Sequence, residues 1–103
     1  MKQVLASMRE SKRYLAFNFD QKLPKDDAKI KINKLFKDTV GFIGMAKADL
    51  RLVGNLFVGN KGVIAVSPKY VQELIFSLAL SDNPRIETLG VSGVINKTKR
   101  FLK

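Results

Sequence analysis

Between Lys12 and Ser92 the hydrophobic period switches from two to 3.6 and back, twice, with one turn signal in the middle. This order restricts the fold more than any other feature of the chain. A strand, a helix and a strand must cross over a sheet face, and two such crossovers joined by a hairpin close a single layered unit.

The first strand is read over Lys12 to Asp20, where Leu15, Phe17 and Phe19 share one face and Tyr14, Ala16 and Asn18 the other. Pro24 precedes Asp26 and Asp27, acidic residues suited to the positive end of a helix. Ala28, Ile32, Leu35, Phe36 and Thr39 then fall on one helical arc, with Lys29, Asn33, Lys34 and Lys37 opposite. The helix is expected to stop near Gly41. Ala48 to Val58 reads as a strand around Leu50, Leu52 and Val53, with a bulge near Gly54. Gly59-Asn60-Lys61-Gly62 is turn chemistry, and Val63 to Val66 is the returning strand of a hairpin. Ser67 and Pro68 suit the N-cap and first position of a helix running to about Ser81, with Val71, Leu74, Ile75 and Leu78 as its core stripe. Asp82-Asn83-Pro84 ends it, and Arg85 to Val91 is the last strand. Ser92-Gly93 then opens a short helix with Val94, Ile95, Thr98, Phe101 and Leu102 on one side and Asn96, Lys97, Lys99, Arg100 and Lys103 on the other.

The expected fold is α+β: a ferredoxin-like (RRM-like) βαββαβ sandwich with an antiparallel sheet, both long helices on one face, and a C-terminal helix. One domain covers residues 1–103, with a basic N-terminal arm at 1–11 and a basic C-terminal helix at 92–103. A chain of this mass buries about 65% of its unfolded surface, enough for one core. The fold hosts many functions, so function must come from the side chains.

The chain has no histidine and no cysteine. That removes the usual zinc ligands, the commonest general base and any thiol nucleophile, and argues against a self-contained hydrolase. No apolar run reaches the ~18–20 residues of a membrane span, and Met1-Lys2-Gln3-Val4 does not read as a signal peptide. A cytoplasmic setting is expected. The net charge of +10 points to a polyanion. The charge is uneven: residues 1–37 hold ten basic and four acidic residues, 38–84 hold four of each, and 85–103 hold five and one. Thermophile surfaces enrich Glu together with Lys, whereas only Glu10, Glu73 and Glu87 occur here.

Four constellations carry functional meaning. Arg9, Lys12 and Arg13 lead into the first strand, and arginine forks two hydrogen bonds to phosphate oxygens. Gly90, Ser92 and Gly93 form a Gly-Ser-Gly-like turn before a helix with Lys97, Lys99 and Arg100 on its polar side; plain N-capping by Ser92 explains the same letters. Sheet-based base stacking needs aromatics after Lys-Gly, but Lys61-Gly62 is followed by Val63-Ile64-Ala65-Val66, and Phe17 and Phe19 are expected in the core. Backbone and shape recognition therefore fits better than base stacking. Phe76 and Leu80, with Phe42 and Ile43 and also Leu56 and Phe57, are surplus apolar residues in the neutral middle of the chain and suggest a protein interface. The carboxylates show no paired catalytic spacing.

These residues resemble one family. Lys12-Arg13-Tyr14-Leu15-Ala16-Phe17 is similar to the opening strand of the ribonuclease P protein component 2 family, and Thr88-Leu89-Gly90-Val91-Ser92-Gly93-Val94-Ile95 with Lys99-Arg100-Phe101-Leu102 resembles its ending. Tyr70-Val71 and the apolar helix after it are similar to the family's second helix. Leu5-Ala6-Ser7 stands where relatives carry Leu-Pro-Pro, and Asp38 to Gly59 matches in pattern only. The resemblance implies a subunit of the ribonucleoprotein that removes the 5′ leader of precursor tRNA. It implies an RNA catalyst that holds Mg²⁺, with no cofactor and no catalytic residue on this protein. It also implies pairing with RNase P protein component 3 in a two-plus-two assembly in which this subunit meets its own copy. RNA contacts are then expected at Arg9, Lys12, Arg13, Gly90, Ser92, Gly93, Lys97, Lys99 and Arg100, and protein contacts at Phe42, Ile43, Phe76 and Leu80.

Two alternatives remain open at this level. A free-standing structured-RNA binder, such as a ribosomal accessory protein, has the same composition. An acylphosphatase-like enzyme would need a Gly-Arg-rich loop after strand one, where the chain has Gln21-Lys22-Leu23-Pro24.

Overall fold

A computed structural model of the chain describes residues 12–82 and 84–102. Arg9 and the arm at 1–11, Asn83 and Lys103 lie outside the described residues. The fold is α+β, with a four-stranded antiparallel sheet in the order β2-β3-β1-β4. The strands are β1 (Arg13–Phe19), β2 (Arg51–Leu52), β3 (Lys61–Val66) and β4 (Ile86–Ser92). The helices are α1 (Lys25–Ala48), α2 (Val71–Ala79) and α3 (Ile95–Lys99).

The core follows the two periodicities. Leu15, Phe17 and Phe19 on β1 meet Ile64 and Val66 on β3, and Ala28, Ile32 and Phe36 on α1 meet Leu74 and Leu78 on α2. All ten belong to one buried cluster, so both long helices cover the same sheet face. The Phe17 ring packs edge-on to Phe19 at 5.4 Å between centroids and stacks on Phe57 at 6.4 Å. Phe57, read above as surplus apolar surface, thus belongs to the core margin. Gly62 sits opposite Phe17 in the ladder, where a Cβ would stand 2.7 Å from the Phe57 ring and 2.9 Å from Phe17.

Three local expectations are corrected. The helix does not end at Gly41. That residue takes φ 78°, ψ 177°, a conformation open to glycine, and the helix resumes through Ala48. Phe42 and Ile43 therefore lie on a second helical segment, favoured by the helix formers Met45, Ala46, Lys47 and Ala48. The strand expected over Ala48 to Val58 is reduced to Arg51–Leu52, because the first residues close α1 and Gly54–Leu56 form a 3₁₀ turn. Nor is residue 92 the start of the terminal helix: Gly90 and Ser92 lie inside β4, α3 begins at Ile95, and a 3₁₀ turn, Arg100–Leu102, ends the described chain.

The other sheet face is dressed differently. Ala16, Val63 and Gly90 form one cross-strand row on it. Ala16 and Val63 are fully buried, and the Phe101 ring lies over Gly90. The C-terminal segment therefore packs across the sheet face that the long helices leave open.

Candidate nucleic-acid interface

One sheet row links the two ends of the sheet near which basic residues gather. Arg51 on β2 pairs with Ala65 on β3, Ala65 with Tyr14 on β1, and Tyr14 with Ser92 on β4. Cross-strand partners point to the same side, so these four occupy the face opposite the core. Three strand spacings separate Arg51 from Ser92, about 14 Å.

At the β4 end, Arg13 lies against Gly93. A Cβ on Gly93 would stand only 3.1 Å from the guanidinium Nη1. Gly93 has no positive φ, so its missing side chain serves close approach and not backbone conformation. The arginine at the start of β1 and the Gly-Val-Ser-Gly segment at the end of β4 were separate clusters in the sequence. The antiparallel β1–β4 pairing makes them neighbours. Ser92 does not cap α3: Val94 is the N-cap, and the Val94 N–H donates to Ser92 Oγ at 3.1 Å. Gly90 is placed in the ladder opposite Ala16, where its role is to admit Phe101. Lys97, Lys99 and Arg100 are exposed on the short helix and the turn after it, while Thr98 between them is buried and donates its hydroxyl to the Val94 carbonyl at 3.1 Å.

At the β2 end there is an open groove that sequence reasoning missed. Lys12, Lys47, Arg51 and Lys69 line it, with Asp49 as the one carboxylate. Ala65, Ser67 and Tyr70 complete the wall. Asp49 caps the C-terminus of α1 with φ 51°, ψ 52°, a left-handed conformation that Asp adopts more readily than most residues. Its carboxylate accepts from Lys12 Nζ at 2.6 Å and from Arg51 Nε at 3.3 Å, and Lys12 Nζ also donates to the Asp49 carbonyl at 3.2 Å. The Lys12 hydrogen bond, reinforced by Arg51, holds the Asp49 carboxyl below its usual range against the opposing effect of desolvation. The Ser67 N–H donates to the Ala48 carbonyl at 2.9 Å, which ties the end of β3 to the end of α1 and fixes the groove. No spacing in the sequence joins Lys12, Lys47, Arg51 and Lys69, because several elements converge there. The only local signal was Ala-Asp-Leu-Arg after a helical run, read above as strand.

The proposed protein-contact residues are exposed: Phe42 at 78%, Ile43 at 69%, Phe76 at 59% and Leu80 at 55%. Lys37 Nζ stands 5.6 Å from the Phe42 ring centroid. Phe17 and Phe19, by contrast, are fully buried and offer no stacking platform. No helix among the described residues is long and apolar enough to cross a membrane.

Comparison with known proteins gives one consistent result. No protein-family model matches the chain. A Thermococcus gammatolerans protein named ribonuclease P protein component 2 is 35% identical, with 91% of this chain and 84% of that protein aligned. Its Pyrococcus furiosus namesake is 34% identical over the same shares. One from Methanosarcina acetivorans is 32% identical over 100% of this chain and 83% of its own length.

Proposed function

The chain belongs to the ribonuclease P protein component 2 family, and from that premise we propose that it supports the catalytic RNA of ribonuclease P by neutralising and positioning RNA phosphates. The observation that carries this reading is the close approach of Arg13 to Gly93. It joins the basic start of β1 to the basic C-terminal segment, so charge from both ends of the chain meets at the β1–β4 end of the sheet. Clustered cations raise phosphate affinity and release counterions. With Phe17 and Phe19 buried, recognition runs through the RNA backbone and shape.

In this reading the RNA is the catalyst and holds the Mg²⁺, and this subunit contributes no catalytic residue. Its role is to stabilise the active RNA fold, which lowers the Mg²⁺ needed for removal of the 5′ leader of precursor tRNA. The strand order and the one-sided helices support a ferredoxin-like assignment. The exposed apolar residues on α1 and α2 are assigned to RNase P protein component 3 and to a second copy of this chain, in a cytoplasmic two-plus-two assembly.

The test is the salt dependence of binding to ribonuclease P RNA. Joint replacement of Lys97, Lys99 and Arg100 by Ala should flatten the slope of log affinity against log salt by about 0.7–0.9 for each phosphate that is no longer neutralised. An unchanged slope removes the C-terminal segment from the RNA surface.

A further inference from the structure

The groove at the end of α1 lies outside the RNA contacts expected from the sequence, apart from Lys12, and its chemistry is specific. The Asp49 carboxylate bridges two cations from different elements, Lys12 ahead of β1 and Arg51 at the start of β2. Two cations share that one carboxylate, so the trio keeps a net positive charge. Lys47 and Lys69 line the same concavity and raise its positive potential. The Asp49 carboxylate depends on Lys12 and Arg51. It stands at the negative end of a helix, where a carboxylate is disfavoured, and half its side-chain surface is open to water.

We propose that this groove seats a phosphate of the RNA backbone and that Asp49 is its resident counterion, holding Lys12 and Arg51 in place until a phosphate oxygen takes over part of their hydrogen bonding. The proposal rests on the RNA-binding reading above and adds a second region of RNA contact to it. The row Arg51–Ala65–Tyr14–Ser92 crosses the sheet from the groove to the end of β4, next to the Arg13–Gly93 contact, while Arg13 itself pairs with Val66 and takes the helix side. Phosphodiester is favoured over an acidic peptide because the groove is lined by four basic side chains and one carboxylate with only Ala65 and Tyr70 as apolar wall, while Phe42, Ile43, Phe76 and Leu80, the apolar residues that suit a protein partner, lie outside it.

The experiment is a salt titration of binding to ribonuclease P RNA by the full chain and four variants. Arg51→Ala and Lys47→Ala should each weaken binding and lower the salt slope by about 0.7–0.9. Asp49→Asn, which keeps an acceptor for Lys12 and suits the left-handed backbone, should tighten binding about fivefold at low salt, since it removes one repulsive charge near the phosphate. Asp20→Asn makes the same change in net charge at the far end of β1 and should leave affinity nearly unchanged. A wild-type chain that binds while Arg51→Ala and Lys47→Ala keep its slope overturns the groove alone, as does equal tightening by Asp49→Asn and Asp20→Asn. Failure of the groove variants to bind component 3, with RNA binding intact, assigns the groove to a protein and also overturns the proposal. A wild-type chain that does not bind the RNA overturns the functional reading together with it. Thermal melts of each variant separate these effects from unfolding, and the exposed Arg51 and Lys47 side chains should leave the melt within a few degrees of wild type.

Discussion

Gly90 lies directly beneath the ring of Phe101: a Cβ at residue 90 would stand 2.6 Å from two of the ring carbons. Gly90→Ala must therefore push the ring away. Overpacking costs about 1–3 kcal/mol in a closed core, but Phe101 lies at the end of the described chain and is 40% exposed. The expected response is undocking of the terminal segment with little change in global stability. Hydrogen exchange at residues 95–102 should accelerate in Gly90→Ala while exchange in β1 and β3 stays slow. Unchanged protection at 95–102 would show that Phe101 does not dock the segment.

Gly62 is the contrasting case. Its neighbours are Phe17, fully buried, and the half-buried Phe57 stacked on it, so the Phe17 ring is the one without room to leave. Ala in a strand gains about 0.4–1 kcal/mol from the unfolded state, less than the overpacking penalty of about 1–3 kcal/mol. Gly62→Ala should lower the melting temperature by roughly 4–8 °C for each kcal/mol of destabilisation. A melt equal to or above wild type would refute the close packing.

The Lys12–Asp49 pair gives a pH prediction. The Asp49 carboxyl is depressed in the folded chain by Lys12 and then Arg51. Its contribution is fully present above the ordinary carboxylate pKa of about 3.9 and is lost as pH falls through the lower folded value. Because the pair is exposed, about 0–1 kcal/mol is at stake. The stability difference between wild type and Asp49→Asn, measured by urea unfolding, should be flat from about pH 7 to pH 5 and shrink below about pH 4. A difference that changes between pH 7 and pH 5 would contradict this assignment.

Phe76 and Leu80 should separate binding from folding. Both are more than half exposed, Phe76 within α2 and Leu80 just after its end, so Phe76→Ser and Leu80→Ser should change stability by no more than about 1 kcal/mol. If they anchor a protein partner, each should weaken association with RNase P protein component 3 tenfold or more, measurable by calorimetry. Unaltered affinity in both would move the interface elsewhere.

The periodic elements were legible in the sequence because one buried face imposes a period on each. Leu15, Phe17 and Phe19 gave β1 its alternation, and Ala28, Ile32 and Phe36 gave α1 its stripe. What was not legible depends on partners far along the chain. Phe42 and Ile43 continue a helix past Gly41, and their exposure removes the hydrophobic period that would have announced it. Gly90 and Gly93 looked like turn residues, yet their need for a missing side chain comes from Phe101 and Arg13. The groove was invisible for the same reason, since Lys12, Lys47, Arg51 and Lys69 come from the chain ahead of β1, the end of α1, the start of β2 and the 3₁₀ turn after β3. Phe76 and Leu80 were legible because they fall off the α2 core stripe of Val71, Leu74, Ile75 and Leu78, and both are exposed.

The most direct test of the central claim is cleavage of precursor tRNA by the catalytic RNA with component 3 at limiting Mg²⁺, with and without this chain. Single-turnover rates should rise strongly when the chain is added, the Mg²⁺ requirement should fall, and both gains should shrink in Arg13→Ala, Lys97→Ala and Arg100→Ala. No gain in rate, with RNA binding intact, would contradict a supporting role in catalysis and leave a free-standing structured-RNA binder.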